Sequence, residues 1–202
     1  MRDIPLPSVT GISRESKNPY KVLISCVLSL RTKEETTLSA SRRLFKEASS
    51  VYGMKNLSLK RIQRLIYPVG FYRKKAENIL KISRKIIDDF SGKVPANLND
   101  LLALKGVGRK TANLVLGLAY KIPAICVDTH VHRIANRIGW VDTKKPLQTE
   151  EALKKILPKN IWIEINTVLV QFGRSICVPV SPHCSLCDIS SLCLRRGVKR
   201  FR

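Results

Sequence analysis

From Tyr20 onward, apolar residues recur at intervals of three and four, the spacing that gathers side chains on one face of a helix. The pattern predicts helices over residues 20–30, 34–48 and 59–66, while strand-type alternation is scarce. Between 74 and 90, Ile79, Ile82, Ile86 and Ile87 fall on one side and lysines on the others, so this helix is expected to be half buried, with Gly92 as its stop. A short helix over 98–104 closes at Gly106, and a second runs from 109 to 118, which together make a tight helical hairpin. Further helices are expected at 129–138, at 149–157 with Thr149 as N-cap, and at 162–172. The fold class is therefore all-α. Prolines 68, 95, 123 and 146 mark turns rather than long linkers, and the basic tail 195–202 is expected to fray.

A chain of 202 residues can bury a core as one compact unit or two small domains. The largely apolar stretch 22–30 is too short for a bilayer and reads as a buried helix, so no membrane partner is expected. Charge changes the picture more. Lys and Arg outnumber Asp and Glu by 37 to 15, a formal charge of +22 that calls for a polyanion. Nucleic acid comes first because neutralised phosphates release counterions, although a ribosomal or membrane-surface role also favours a basic chain.

The stretch up to Pro19 carries charges and prolines without a continuous apolar run, so a cytoplasmic, nucleoid-associated location is expected. In that reducing compartment, six cysteines point to metal or cluster ligation rather than disulfides. Cys177, Cys184, Cys187 and Cys193 are separated by six, two and five residues, close enough in sequence to share one centre. Zinc and iron-sulfur both accept four thiolates; structural zinc usually draws on two paired knuckles, and this segment has one Cys-x-x-Cys.

In Leu104-Lys105-Gly106-Val107-Gly108-Arg109-Lys110-Thr111-Ala112 the glycines permit unusual backbone angles and leave the amides of a helix N-terminus uncovered. Those amides and the positive end of the helix dipole suit a DNA phosphate, read without regard to sequence. A Gly-x-Gly before a helix is often only a turn; the flanking residues and the positive charge favour the phosphate.

This segment resembles the helix-hairpin-helix of the endonuclease III family, Leu-Pro-Gly-Val-Gly-x-Lys-Thr-Ala, with Lys105 in place of proline. Val127-Asp128-Thr129-His130-Val131, followed by Arg133, Asn136 and Arg137, is similar to the family's Val-Asp-Thr-His segment. Val69-Gly70-Phe71-Tyr72 before Lys75-Ala76-Glu77-Asn78 resembles its Ile-Gly-Leu-Tyr element, and the cysteine spacing resembles its cluster loop. The likeness runs from about residue 18 to 193.

The resemblance implies two helical domains with the active site between them: a six-helix domain over 12–120 bearing the hairpin, and a cluster domain over 121–202 with 1–11. It implies a [4Fe-4S] cluster on the four cysteines and a bifunctional DNA glycosylase and abasic-site lyase of base excision repair. The expected partner of the monomer is duplex DNA holding a damaged base, above all an oxidised pyrimidine, or an abasic site. Lys110 would attack the sugar C1′ and form a Schiff base before β-elimination, with burial, Arg109 and the helix N-terminus favouring its neutral amine. Asp128 would stabilise oxocarbenium character and move protons, unless it is only a helix N-cap.

Lys105, Gly106, Val107, Gly108 and Arg109 would bind the backbone. Arg31, where relatives place a wedge glutamine, and Phe71 would fill the gap left by the extruded nucleotide; the plainer alternatives are a phosphate contact for Arg31 and a core position for Phe71. His130 and His132 read as hydrogen-bonded structural residues. Loop 178–183 holds no Lys or Arg, so Arg174, Arg195, Arg196 and Lys199 would supply compensating DNA contacts. The competing readings are a mismatch or uracil glycosylase on the same scaffold, a water-activating adenine glycosylase, which usually lacks this lysine, and a non-enzymatic DNA-binding module.

Overall fold

The computed structural model describes residues 5–202, and among them every regular element is helical. None of these helices is long and apolar enough to cross a membrane. The chain divides into two compact units, Ser8–Ile122, and Pro123–Arg202 with the described residues up to Pro7.

The first unit is built around α2 (Pro19–Ser29), in which Val22 through Leu28 are all buried. Its start is well specified: Pro19 occupies the first turn, and the Asn18 side chain accepts from the amides of Tyr20 and Lys21. Apolar on all sides, α2 is enclosed by α1 (Ser8–Glu15), α3 (Glu34–Glu47), α6 (Tyr72–Phe90) and α8 (Arg109–Tyr120). The short helices α4 (Val51–Lys55) and α5 (Leu59–Ile66) cover α6, whose Ile79, Ile82 and Ile86 are buried as expected while Ile87 is partly exposed. The hairpin joins α7 (Leu98–Leu102) to α8.

Eight helices thus replace the expected six. The additions are α1 and α4, each short and interrupted by a glycine, Gly11 and Gly53, which blurred their periodicity. Residues 8–11, expected with the cluster domain, belong to α1 and pack in the first unit, where Val9 and Ile12 enter the core.

The second unit packs α9 (Thr129–Ile138) against α10 (Pro146–Ile156) and α11 (Glu164–Ser175) over Ile125, Val131, Ile134, Leu153, Ile165 and Leu169. α10 begins three residues before the expected start: Pro146 opens it, and Gln148 Oε1 accepts from the amides of Lys144 and Lys145. Thr149 is no cap. It is buried, and its hydroxyl meets His132 Nδ1 and Thr143 Oγ1, each at 2.6 Å, in a network that also includes Asn136. His132 is therefore structural, as expected, and His130 Nδ1 lies 3.3 Å from Arg133 Nη2.

Nor does the tail fray. Leu194 N donates to Ile138 O at 3.2 Å, Arg196 N to Arg137 O at 3.1 Å and Arg202 N to Pro182 O at 2.8 Å, while Ser185 N donates to Arg202 O at 2.9 Å. Arg195 lies 4.7 Å from the Phe201 ring centroid. A backbone bonded at several points resists the opening that frees most chain ends.

Candidate functional site

The hairpin turns on a bond from Val107 N to Leu104 O at 3.0 Å, with Gly106 at φ 81°. A positive φ at the third residue is the signature of a type II turn, in which proline favours the second position. Lys105 holds that second position, so its replacement of the family's proline leaves the turn intact and adds an exposed charge. Gly106 is also close to a neighbour: a Cβ there would lie 3.0 Å from Asn78 Nδ2.

Gly108 is different. Its backbone is extended and a Cβ would meet nothing within 4 Å, so the fold itself does not demand glycine. It is the N-cap of α8, and no side chain caps that end. A helix end with no cap side chain and no Cβ at its N-cap has the geometry that accepts a phosphate oxygen. Lys105, Gly106 and Gly108 are exposed, Arg109 is partly so, and Val107 is buried, contributing packing and backbone only.

Lys110 stands in the first turn of α8 and is exposed. The burial expected around this side chain is not provided by this unit, where the residue is exposed. It remains close to Cys26, a buried thiol of α2 pushed up to about 12 by burial, with the Lys110 charge opposing.

Asp128, in the second unit, is the N-cap of α9: Oδ1 accepts from His130 N and Val131 N, both at 2.9 Å. Arg133, one turn along, is pushed below the ordinary guanidinium range by burial and by Arg137, with Cys177 and Asp128 opposing. The cap role can be separated from chemistry. Asparagine caps as well as aspartate, so Asp128→Asn is expected to melt within about 0.5 kcal/mol of the native protein, whereas Asp128→Ala loses about 1 kcal/mol. With the sugar chemistry that the resemblance implies for Asp128, both should excise a damaged base far more slowly; denaturant melts beside single-turnover excision check this, and full activity in Asp128→Asn would leave Asp128 as a cap alone.

Cys177, Cys184, Cys187 and Cys193 line one hollow whose walls include Ile138, Phe172, Ile176 and Ile189. Burial pushes the Cys184 thiol up; Arg195 opposes, and Cys177, Cys187 and Cys193 add to the rise, so the four sulfurs sense one another. Donors already point at them: Arg137 Nη1 reaches Cys177 Sγ at 3.5 Å and Arg195 N reaches Cys193 Sγ at 3.4 Å. Among the described residues, no three His, Cys, Asp or Glu side chains are drawn together as one metal ion would need.

Arg133 and Arg137 were missed as functional residues. Four apart on α9, they donate to Cys177 O at 2.8 Å, Val178 O at 2.7 Å and Pro179 O at 2.6 Å, bracing the cysteine loop. The i, i+4 pair of arginines after the Val-Asp-Thr-His segment was the available signal. Arg195 and Arg196, expected to contact DNA, also bond within the protein, Arg195 to Ser190 Oγ at 2.7 Å and Arg196 to Asp142 at 3.3 Å.

Arg31 and Phe71 are brought together, with the guanidinium 5.9 Å from the ring centroid. Both are exposed, Phe71 by 64%, which excludes a core position for it.

Residues 24–159 match the model of the HhH-GPD superfamily of base excision DNA repair proteins. The chain belongs to that superfamily. Endonuclease III of Thermotoga maritima is 48% identical over 94% of this chain and 91% of its own length, and that of Bacillus subtilis 38% identical over 91% and 84%. A trapped endonuclease III–DNA covalent intermediate superposes with a TM-score of 0.82 at 37% identity, covering 87% of this chain and 83% of that one. A thermostable thymine-DNA glycosylase superposes at 0.81 with 26% identity, over 92% of each chain. Within the superfamily the chain is a DNA glycosylase and abasic-site lyase of the endonuclease III type.

Proposed function

We propose that this protein excises oxidised pyrimidines from duplex DNA and then nicks the strand, with Lys110 as nucleophile. The carrying observation is the α8 N-terminus, where uncapped amides beside Gly108 stand two residues from an exposed amine. One backbone phosphate held there would set the register of the strand against Lys110. The DNA covering Lys110 would supply the desolvation that the free unit lacks.

Lys110 Nζ would bond to C1′ as the glycosidic bond breaks and the base departs with a proton. Loss of an amine proton and ring opening give the Schiff base. Removal of a C2′ proton then expels the 3′ phosphate. Asp128 would stabilise positive charge at the sugar and carry protons through its carboxylate.

Cys177, Cys184, Cys187 and Cys193 would hold a [4Fe-4S] cluster, whose bonds would tie residues 184–193 back to Cys177 at the end of α11. The apolar walls and the N–H donors aimed at sulfur suit bound thiolates, and the single Cys-x-x-Cys supports a cluster over a structural zinc ion, which usually draws on two paired knuckles.

Excision measured on matched duplexes carrying thymine glycol, 5-hydroxycytosine, uracil opposite guanine, or thymine opposite guanine tests the substrate. Oxidised pyrimidines should be released at least about tenfold faster than the others, a difference of roughly 1.4 kcal/mol in transition-state binding. Faster release of mismatched thymine would favour the activity named for the thymine-DNA glycosylase neighbour.

A further inference from the structure

The α2–α3 connection passes through Arg31 at φ 52°, and the residue that precedes α6, Phe71, has φ 57°. Neither is glycine, and left-handed backbone at such residues costs on the order of 1–3 kcal/mol unless the surroundings enforce it. Both carry large exposed side chains, and these lie against each other.

What enforces the arrangement is Lys75, in the first turn of α6 and only 6% exposed. Its Nζ donates to Leu28 O at 2.8 Å, to Leu30 O, and to Thr32 Oγ1 at 3.0 Å. Three acceptors match the three N–H bonds of an ammonium. Two of them are carbonyls at the C-terminus of α2, where a positive charge also meets the negative end of the helix dipole. Thr32 Oγ1 accepts in addition from Gly70 N at 3.2 Å, tying the connection to the segment before α6. Gly70 leaves no slack, since a Cβ there would lie 2.5 Å from Arg31 O.

We propose that Lys75 is a positioning residue that presets Arg31 and Phe71 as one paired tip for the space an extruded nucleotide leaves in the duplex. This rests on the reading above that the protein works on extruded nucleotides. Burying an ammonium is a poor way to gain stability, because its hydration is lost and an apolar side chain would fill the volume at less cost. It is a good way to fix a connection, because three bonds from one atom define where residues 28, 30 and 32 lie. A tip ordered in advance enters the stack without paying for its own ordering. Were Lys75 only a helix cap, its loss would lower stability and leave insertion by the folded protein unchanged.

The test uses the intact protein and a duplex with a tetrahydrofuran abasic analogue opposite 2-aminopurine. This probe cannot be cut, so Lys110 chemistry plays no part. Wild type should raise the 2-aminopurine fluorescence several-fold at saturation. Lys75→Met should bind within about tenfold of wild type, through the unchanged hairpin, and lose most of that rise. Thr32→Val, which removes one acceptor and the Gly70 bridge, should fall between them, and Phe71→Ala marks the signal without insertion. Full fluorescence from folded, saturated Lys75→Met overturns the assignment; if that variant does not fold, full fluorescence from Thr32→Val overturns it. A silent wild type sinks the extrusion reading itself and the assignment with it.

Discussion

Replacing Lys110 with glutamine should abolish the covalent adduct that borohydride traps on an abasic-site duplex and slow strand nicking by at least about 10³-fold, roughly 4 kcal/mol of lost transition-state stabilisation. Glutamine keeps the length and helix-forming tendency of the side chain but has no amine to form an imine. Because Lys110 is exposed on α8, the exchange should move stability by no more than about 0.5 kcal/mol. DNA affinity should survive, since the amides around Gly108 are backbone groups that the substitution does not touch. Trapping, single-turnover nicking and a thermal melt on the same preparation separate these effects. An adduct of native yield in the variant would place the nucleophile elsewhere; loss of binding together with trapping would make Lys110 a phosphate contact.

The second large effect concerns the cysteine hollow. Cys187→Ser should remove visible absorption from anaerobically purified protein and destabilise the second unit by more than about 3 kcal/mol, because a structural metal centre contributes folding free energy directly. The apolar core of that unit is modest, and the segment from Cys177 onward relies on loop bonds and short turns rather than long helices. Residues 8–122 should keep their helices, so circular dichroism should fall in part while a separate, higher transition persists. Iron and zinc analysis of the native protein names the occupant. A colourless native protein with stoichiometric zinc would replace the cluster, and a variant as stable and as coloured as wild type would remove Cys187 from the ligand set.

Some elements announced themselves in the sequence because local chemistry and long-range packing agreed. α9 runs over the expected residues, since Asp128 caps one end and Gly139 closes the other at φ 95°. The hairpin was legible for the same reason: the turn demands Gly106, and Gly108 leaves the helix end open. α10 misled because two start signals lie close together, and Pro146 with Gln148 prevailed over Thr149, whose hydroxyl serves a buried network instead.

Lys75 was out of reach. A lysine on an amphipathic helix reads as solvated, and only the chain crossing 43 to 47 residues earlier in sequence supplies its three oxygens. The pairing of Arg31 with Phe71 is equally a product of tertiary structure, joining residues that no local pattern links. The tail was misjudged for a related reason: its composition suggests solvent, while its backbone is held by partners at 137, 138 and 182.

The division at Ile122 has a consequence for synthesis. Residues 8–122 are contiguous in the chain and contain every helix that encloses α2, so this unit is complete as soon as Ile122 has left the ribosome. The four thiols arrive only with residues 177–193, after α9, α10 and α11 have been made. The glycine hairpin can therefore mature on the ribosome, whereas the cysteine hollow, closed by backbone bonds reaching as far as Arg202, forms only at the end of translation. With the proposed cluster in the hollow, a cell short of iron would accumulate molecules with one finished half and one unfinished half rather than unfolded chains.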